Sequence, residues 1–323
     1  MTEPPTLVTP PVRQSPSDPE KLARITALGA LILSDQKNAA TLHAELAWAY
    51  LAGRFDEGIA KYIQYYKLNM RNTKGSEPET RINSTVKAAK TAGTIGQHLL
   101  NHSRNILNTS PEQAEEYWLK GMKWKKQEHR LISTLINSDP SKKHDLAMIS
   151  GKIGQEYLDA SERLRTINPK QAEQYWLNGM KWKEKSWRFD EELSQTDPST
   201  LENCAKTAGH IGQEYLKASK RLRQANPKQA EIYWLEGMAW KEKAYGSYKE
   251  LSCIYPRKKQ DCALTAAQLG KEFANQRMDY YAIEWYKKAL HHDPGNESVK
   301  NKYKALGIKM ALEDLIQRGE RSS

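Results

Sequence analysis

Small and apolar residues recur along this chain with the spacing of an α-helix. Tyr117, Gly121 and Trp124 are separated by four and then three residues, so they lie on one side of a helix. Ala114 and Trp118 lie beside them on the same apolar stripe. The intervening positions are mostly Lys, Glu and Gln, which favour helix over strand. The pattern predicts a long amphipathic helix.

This helix belongs to an internal repeat with a step of 58 residues. Ile-Gly-Gln at 95–97 recurs at 153–155 and at 211–213, and Leu-Gly-Lys at 269–271 is a weaker form. Two further markers keep the same step, namely Tyr117-Trp118, Tyr175-Trp176 and Tyr233-Trp234, and the prolines Pro140, Pro198 and Pro256. Three markers in one register predict tandem structural repeats.

Prolines divide each repeat into two helices, because proline can open a helix but interrupts its interior. Asp139-Pro140-Ser141 and Asp197-Pro198-Ser199 are typical of a stop and a cap before the first helix. Asn168-Pro169 and Asn226-Pro227 mark the link to the second helix. Each repeat is therefore predicted to be an antiparallel hairpin of two helices, each of roughly 20–27 residues and about 30–40 Å.

Glycines on the apolar stripes predict close contact between the paired helices. In the first helix of one repeat, Gly151, Gly154 and Tyr157 share a face beside Ile153. Glycine within a helix costs about 1 kcal/mol relative to alanine. Its recurrence at one register therefore indicates that the backbones of the two helices must approach each other closely.

The last repeat resembles a tetratricopeptide repeat (TPR). Its residues with the usual spacing are Leu269, Gly270, Phe273, Ala282, Tyr286, Ala289 and Pro294, with Ala266 in place of the usual tryptophan. Near the N-terminus, Leu46, Ala47, Tyr50, Gly58 and Tyr62 form a similar pattern that is one residue short before the glycine. The resemblance extends loosely over residues 38–310.

The middle repeats are similar to TPRs with lengthened helices. They share the first half of the motif, as in Ile211, Gly212 and Tyr215, but the small residue of the second half, such as Ala230, comes six residues late. The resemblance implies an all-α fold, a TPR-like α-solenoid of antiparallel helix pairs. It also implies a concave groove lined by the first helices, and it implies no particular ligand.

The repeat and the resemblance together predict four segments. Residues 1–20 form a disordered Pro-rich tail, 21–78 form N-terminal helices with a TPR-like pair, 79–256 form three tandem long repeats, and 257–323 form a C-terminal TPR and a capping helix.

Composition agrees with an elongated repeat protein. Hydrophobic residues make up 38% of the chain and charged residues 28%, which suits repeats that contact only their neighbours. The formal charge of +11 favours nucleic acid, anionic lipid or acidic protein as partner, without choosing among them. Oligomeric state is not predicted.

The three cysteines, Cys204, Cys253 and Cys262, are too few for a disulfide scaffold and are interpreted as reduced packing residues.

No stretch approaches the ~20 apolar residues of a membrane span, so no membrane insertion is expected. The polar N-terminus lacks an apolar signal core. The predicted location is cytoplasmic, with secretion into a host cell through the N-terminal segment left open.

No catalytic arrangement is evident, and the chain is predicted to be non-enzymatic and without a cofactor. It has no Gly-x-Ser-x-Gly or His-Glu-x-x-His motif. The sequence Gly151-Lys152-Ile153-Gly154 lacks the Gly-Lys-[Ser/Thr] ending of a phosphate-binding loop, so helix packing explains it better. His98 and His102 have the spacing of two metal ligands on a helix, but no third ligand is nearby, and a solvated face is the preferred interpretation.

Lysines follow each tryptophan motif on the second helices. The three clusters are Lys120, Lys123, Lys125 and Lys126, then Lys181, Lys183 and Lys185, and then Lys241 and Lys243. Lysine beside tryptophan can indicate stacking with single-stranded nucleic acid. The tryptophans, however, lie on the predicted core stripe, so a solvated convex face is the preferred interpretation.

The candidate partner-binding surface is the face of the first helices opposite their packing stripe. Its positions are Gln97, Asn101 and Arg104, then Gln155, Asp159 and Glu162, then Gln213, Lys217 and Lys220, and finally Lys271 and Asn275. The glutamine recurs while its neighbours change from weakly basic to acidic to basic. A phosphate-binding groove should be positive throughout. Alternation fits a protein partner with its own charge pattern, although ordinary exposed residues would give the same sequence.

The sequence thus favours a protein–protein interaction scaffold or adaptor that binds a peptide or protein in a concave groove. The alternative is an RNA- or DNA-binding helical repeat protein that uses its basic surface. An extended or helical peptide would suit the first hypothesis. The salt dependence of binding separates the two, because phosphate contacts weaken steeply as salt rises.

Overall fold

The computed structural model describes Ala49 and residues 54–73 and 78–320, apart from the side chains of residues 72 and 316–320. Within these ranges the regular structure is entirely helical, with no strand, so the predicted all-α fold is confirmed. The α-helices are α1 (Phe55–Asn72), α2 (Pro78–Ile106), α3 (Pro111–Ser133), α4 (Lys142–Leu164), α5 (Pro169–Ser194), α6 (Leu201–Leu222), α7 (Pro227–Ile254), α8 (Lys259–Asn275), α9 (Asp279–His292) and α10 (Glu297–Glu320).

Two predicted features lie outside the described residues and stay predictions. The first is the tail over residues 1–20, together with most of the segment that follows it. The second is the first half of the N-terminal TPR-like motif, which comprises Leu46, Ala47 and Tyr50.

Proline and its preceding polar residue begin the second helices as predicted. Pro111, Pro169 and Pro227 are the first residues of α3, α5 and α7 and keep the step of 58 residues. The Asn168 side chain accepts a hydrogen bond from the Gln171 backbone N–H at 3.1 Å, which satisfies one unpaired donor at the start of α5. The helices of the three long repeats contain 22 to 29 residues, so α2 and α7 slightly exceed the predicted range.

The described residues fall into two compact units that divide between Ile132 and Ser133. In the N-terminal unit, α1 packs on α2 through a buried cluster that contains Phe55, Ile59, Tyr62, Ile95 and Leu99. The helices α2 and α3 form the first long pair. The Ser103 hydroxyl on α2 donates a hydrogen bond to the backbone carbonyl of Ala114 on α3 at 2.6 Å.

The C-terminal unit is a succession of helix pairs, α4–α5, α6–α7 and α8–α9, followed by α10. The second helix of each pair also contacts the next helix along the chain. Two buried clusters span successive pairs, one centred on Trp176, Ile211 and Trp240, and one on Trp234, Leu269 and Trp285. Each pair therefore buries its apolar stripe against its neighbours, which is the organisation of a helical repeat protein.

Glycine meets glycine in each long pair, as the sequence predicts. A Cβ added to Gly154 on α4 would lie 3.0 Å from the carbonyl oxygen of Gly179 on α5, and one added to Gly212 on α6 would lie 2.8 Å from that of Gly237 on α7. The atom that each added Cβ would meet belongs to the backbone, so no side-chain movement can relieve the contact. The glycines are present because the two helices touch there.

On the second helices, one lysine in each repeat is more buried than the sequence analysis predicts. The buried stripe of α5 runs through Ala172, Trp176 and Gly179 to a partly buried Lys183. Its repeat equivalents Lys125 and Lys241 are only 8% and 9% exposed. The hypothesis that these clustered lysines form a solvated convex face is therefore wrong for one lysine in each repeat.

The lysine stem explains how a charged residue enters this stripe. The Lys183 Cγ lies 3.0 Å from where a Cβ on Gly154 would be, so the methylenes occupy space that only glycine leaves open. Lysine can bury its stem along apolar surface and still direct its ammonium group outward. In the neighbouring cluster, Lys181 and Lys185 are exposed, as predicted.

Candidate functional site

The first helices of the C-terminal unit border a cavity that contains part of the predicted partner-binding surface. The cavity has a volume of about 230 Å³. Gln155 on α4 lies on one side of it, and Gln213 and Lys217 on α6 lie on the other. Lys183 reaches the cavity from α5, and His210 lies two turns before Lys217 on α6. The recurring glutamines of two repeats thus meet at one site.

The cavity has an apolar floor and a polar rim. The floor is formed by Leu158, Met180 and Ile211, which are 8%, 2% and 0% exposed. The rim carries the two glutamines, two lysines, His210 and Glu214. Such a site can bury an apolar group while it offers hydrogen bonds and charge to the groups on either side.

Lys183 is a charged group in a desolvated position. Burial lowers the pKa of its ammonium, and the negative charges of Asp159 and Glu214 act in the opposite direction. Among the described residues, no carboxylate oxygen lies within 4.0 Å of the Lys183 Nζ. The two carboxylates therefore compensate the charge only from a distance.

Lys241 repeats this environment one pair further along. Burial lowers the pKa of Lys241, and Glu272 on α8 opposes this shift. Glu272, however, forms an ion pair with Lys220, with the Lys220 Nζ 3.1 Å from its Oε1. Glu214 is likewise engaged by Lys217 at 2.7 Å. At both positions a carboxylate that influences the buried lysine is thus paired with an exposed lysine, while Asp159, which influences Lys183 most, accepts a hydrogen bond from Gln155.

His210 lies near both buried lysines. Partial desolvation lowers the pKa of its imidazole, and the positive charges of Lys183 and Lys241 lower it further. Glu214 has the opposite influence. The neutral ring is thereby favoured at neutral pH, since the ordinary value of 6.5 already lies below 7.

The remaining predicted residues of α4 make local polar contacts. The Gln155 side-chain amide donates a hydrogen bond to Asp159 Oδ1 at 2.8 Å. Glu162 pairs with Arg165 at 2.6 Å. Both carboxylates are accessible to solvent on the same helix face as Gln155, although Asp159 is half-buried.

The N-terminal unit carries a similar arrangement on α2. Gln97 donates to Asn101 Oδ1 at 3.0 Å, as Gln155 does to Asp159. Arg104 donates to the same Asn101 oxygen at 3.0 Å. The contact between glutamine and the residue four positions later therefore recurs in two repeats.

The structure brings together only some of the eleven predicted residues. Gln155, Gln213 and Lys217 share the cavity, and Asp159 is near enough to influence the charge of Lys183. The residues placed elsewhere, on exposed or half-buried stretches of the first helices, are Gln97, Asn101, Arg104, Glu162, Lys220, Lys271 and Asn275.

Sequence reasoning missed Lys183, His210, Glu214 and Met180 at the cavity. A signal existed for the lysine, because Lys125, Lys183 and Lys241 recur four residues after the glycine of each second helix. No comparable signal marks His210, whose repeat counterparts are Thr94 and Lys152.

His98 and His102 contact aromatic rings. The His102 ring stacks on Phe55 with centroids 4.0 Å apart, and the His98 ring lies 6.0 Å from that of Tyr62. Burial lowers the pKa of His102, and Asp56 opposes this shift. Over the ranges that the structure describes, no cluster of three or more His, Cys, Asp and Glu side chains is arranged to hold a metal ion.

Two of the three cysteines are core residues. Cys204 and Cys262 are buried, and burial is the main reason that their pKa values rise to about 12 and about 11. Such thiols are poor nucleophiles because the thiolate is the reactive form. Cys253 is exposed.

Of the helices in the described part of the chain, none is both long enough and apolar enough to cross a membrane.

Comparison with known proteins gives structural likenesses at low sequence identity. No protein-family model matches the chain, and a search of curated proteins gives no significant match. The de novo designed helical repeat protein DHR64 is 13% identical, with a TM-score of 0.35 over 72% of this chain and 98% of its own. The Schizosaccharomyces pombe nuclear import adaptor Nro1 is 9% identical, with a TM-score of 0.31 over 82% of this chain and 96% of its own.

A chain of the DHF58 filament is 10% identical, with a TM-score of 0.24 over 82% of this chain and 98% of its own. The assignment of this protein as a helical repeat protein rests on its own step of 58 residues and on the helix pairs described above.

Proposed function

We propose that this chain is a non-enzymatic scaffold that binds a protein or an extended peptide on the face of its first helices. The observation that carries the proposal is the cavity between α4 and α6, where Gln155 and Gln213 from successive repeats lie beside Lys217. The glutamine repeats, while the residue four positions later changes between Asn101, Asp159 and Lys217. A surface that repeats in shape and varies in charge suits a partner with its own charge pattern.

The size of the cavity supports a side chain as its occupant. Sites for cofactors and drug-sized ligands have volumes of about 300–1,000 Å³. At about 230 Å³ the cavity is smaller than this range. A recess of this size, with an apolar floor and a polar rim, suits a single side chain of a bound protein.

The TPR-like character of the last pair is a further part of this proposal. Gly270 on α8 packs against Tyr286 and Ala282 on α9, which are the residues that carry the resemblance. In that family the first helices line the groove, and the cavity described here lies along first helices as well.

A nucleic-acid-binding repeat is the second candidate, and the net charge of +11 favours it. Two observations weigh against it. The aromatic rings needed for base stacking are largely in the core, since Trp176, Trp234 and Trp240 are 1%, 8% and 7% exposed. Asp159 and Glu162 also place negative charge on the face where phosphates would have to bind.

A pull-down from native lysate, with and without nuclease, tests the proposal. The variant Asp159→Lys with Glu162→Lys reverses two charges on the first-helix face. The control Lys181→Glu with Arg188→Glu reverses two exposed charges roughly 140–160° around α5 from Lys183, at 3.6 residues per turn.

We expect nuclease-resistant capture of a protein partner, with an affinity that the first variant changes and the control does not. Capture that nuclease abolishes would show a phosphate-binding surface. Loss of capture in the control alone would place the binding face on the second helices.

A further inference from the structure

The buried lysines of the second helices occupy a place that does not require a charge. In the long pair α6–α7, the residues facing Gly212 are Gly237 and Lys241. In the short pair α8–α9, the residues facing the equivalent Gly270 are Ala282 and Tyr286, with the same separation of four residues. A lysine stem thus fills this space in the long pair, and an aromatic ring fills it in the short pair.

A lysine at such a position is unfavourable for folding alone. Desolvation penalises an ammonium group unless a close opposite charge compensates it. Lys183 and Lys241 have no carboxylate within 4.0 Å among the described residues. Glu214 and Glu272 are each paired with an exposed lysine, and Asp159 accepts a hydrogen bond from Gln155. Methionine would fill the same space without this penalty. The charge is therefore available for a group from outside the chain.

The two lysines, on the second helices α5 and α7, lie near His210 of the first-helix face. Both ammonium groups are close enough to His210 to influence its protonation, and His210 is itself exposed on α6. Lys183 and His210 line the cavity whose floor is Leu158, Met180 and Ile211. Positive charge thus lies beside an apolar recess.

We propose, on the basis of the function proposed above, that this face of the C-terminal unit binds an acidic peptide segment. Its side-chain carboxylates meet Lys183 and Lys241, and one of its aliphatic side chains enters the cavity above Met180. The ligand class is an internal stretch of a protein in which an aliphatic residue is flanked by aspartate or glutamate.

The apolar recess and the nearby carboxylates favour a peptide over a nucleic acid. A phosphate backbone offers nothing that would fill an aliphatic floor. Asp159, Glu214 and Glu272 would repel closely spaced phosphates, whereas a peptide can place its carboxylates beside the lysines and neutral groups beside the acids.

The test uses a fluorescein-labelled peptide, Gly-Ser-Asp-Glu-Leu-Asp-Glu-Ser-Gly, amidated so that it has no terminal carboxylate. Its binding to the full-length protein is measured by fluorescence anisotropy at low salt. Two competitor peptides separate the contribution of the leucine from that of the acidic residues. One replaces the leucine by serine, and the other replaces the acidic residues by their amides. We expect each competitor to bind at least about tenfold more weakly than the parent peptide.

The matched protein variant is Lys183→Met with Lys241→Met, which keeps the apolar stems and removes the charges. We expect it to weaken peptide binding by on the order of tenfold or more, while its melting temperature stays the same or rises. The control Lys181→Met with Arg188→Met removes two exposed charges from α5 and should change affinity by less than about twofold.

Unchanged peptide affinity in the double methionine variant would overturn the inference. If that variant does not fold, the two competitors on the unmodified protein decide, and equal binding of the amide peptide and the acidic peptide would overturn it. Tighter binding of a short oligothymidine than of the acidic peptide would assign the lysines to phosphate. A partner captured in the lysate experiment together with no binding of the acidic peptide would refute this inference and leave the scaffold function standing.

Discussion

In the long pair α6–α7, Gly212 faces the backbone of Gly237, whereas in the short pair α8–α9 its counterpart Gly270 faces the ring of Tyr286. Both solutions bring two helices together, but they leave different groups at the contact. The double glycine admits the stem of Lys241, and the single glycine admits an aromatic ring. Close helix packing is therefore common to both of these pairs, while of the two the long pair carries the buried charge.

The largest effect should come from breaking the backbone contact of a long pair. We expect Gly212→Leu to lower the free energy of unfolding by about 3 kcal/mol, because a Cβ there would lie 2.8 Å from the Gly237 carbonyl oxygen. Urea denaturation followed by circular dichroism measures it. Gly246→Leu is the control, since nothing lies within 4 Å of a Cβ added there. Equal destabilisation by the two variants would show that the contact is not the cause.

A second buried charge distinguishes α5 from the other second helices. Asp190 is 5% exposed, and its repeat counterparts are Ile132 and Tyr248. Burial raises the pKa of Asp190 from 3.8 to about 6, against the opposing influences of His144 and of a hydrogen bond with Thr207. The carboxyl group is therefore more easily accommodated in its protonated form.

The sign of the pH effect follows from this shift. The contribution of Asp190 to stability is fully present below pH 3.8 and is lost as pH rises through about 6. We expect Asp190→Asn to raise the free energy of unfolding above pH 7 by on the order of 2 kcal/mol and to remove this slope. Denaturant titrations from pH 4 to pH 8 measure it, with the exposed Glu191→Gln as control. An unchanged slope in Asp190→Asn would contradict the assignment.

A smaller effect should follow when the buried charge is removed from a long pair. We expect Lys241→Met to raise the free energy of unfolding by about 1 kcal/mol, because it fills the same space without a desolvated charge. The exposed Lys228→Met should have no measurable effect in the same denaturation experiment. A destabilised Lys241→Met would mean that the charge supports the fold, and no external anion would then be needed to explain it.

Sequence alone predicts the helix pairs and their contacts because the evidence for them is repeated. Glycine at the same register of successive helices indicates close packing of those helices. The contacts at Gly154 and Gly212 confirm this, because a Cβ there would press against the backbone of the paired helix. Proline at a fixed step gives the helix starts for the same reason. These features depend on neighbours within one repeat, which the pattern shows directly.

The cavity was not predictable in the same way. Lys183 enters the packing stripe through its methylene stem, whereas a pattern of polar and apolar positions treats lysine as solvated. The site also combines α4, α5 and α6, so its residues come from two repeats and from both helices of one pair. Gln155 and Gln213 were identifiable because they recur, and His210 was not because it occurs once.

Site-specific photocrosslinking tests most directly whether the first helices carry the binding face. Benzoylphenylalanine is placed at Gln155 or at Gln213, on the rim of the cavity, and at the exposed Lys181 on α5 for comparison. Irradiation in native lysate is followed by nuclease treatment and gel analysis. The account predicts a nuclease-resistant crosslink to a protein from both glutamine positions and none from Lys181. A crosslink from Lys181 alone, or crosslinks to nucleic acid from the glutamine positions, would contradict it.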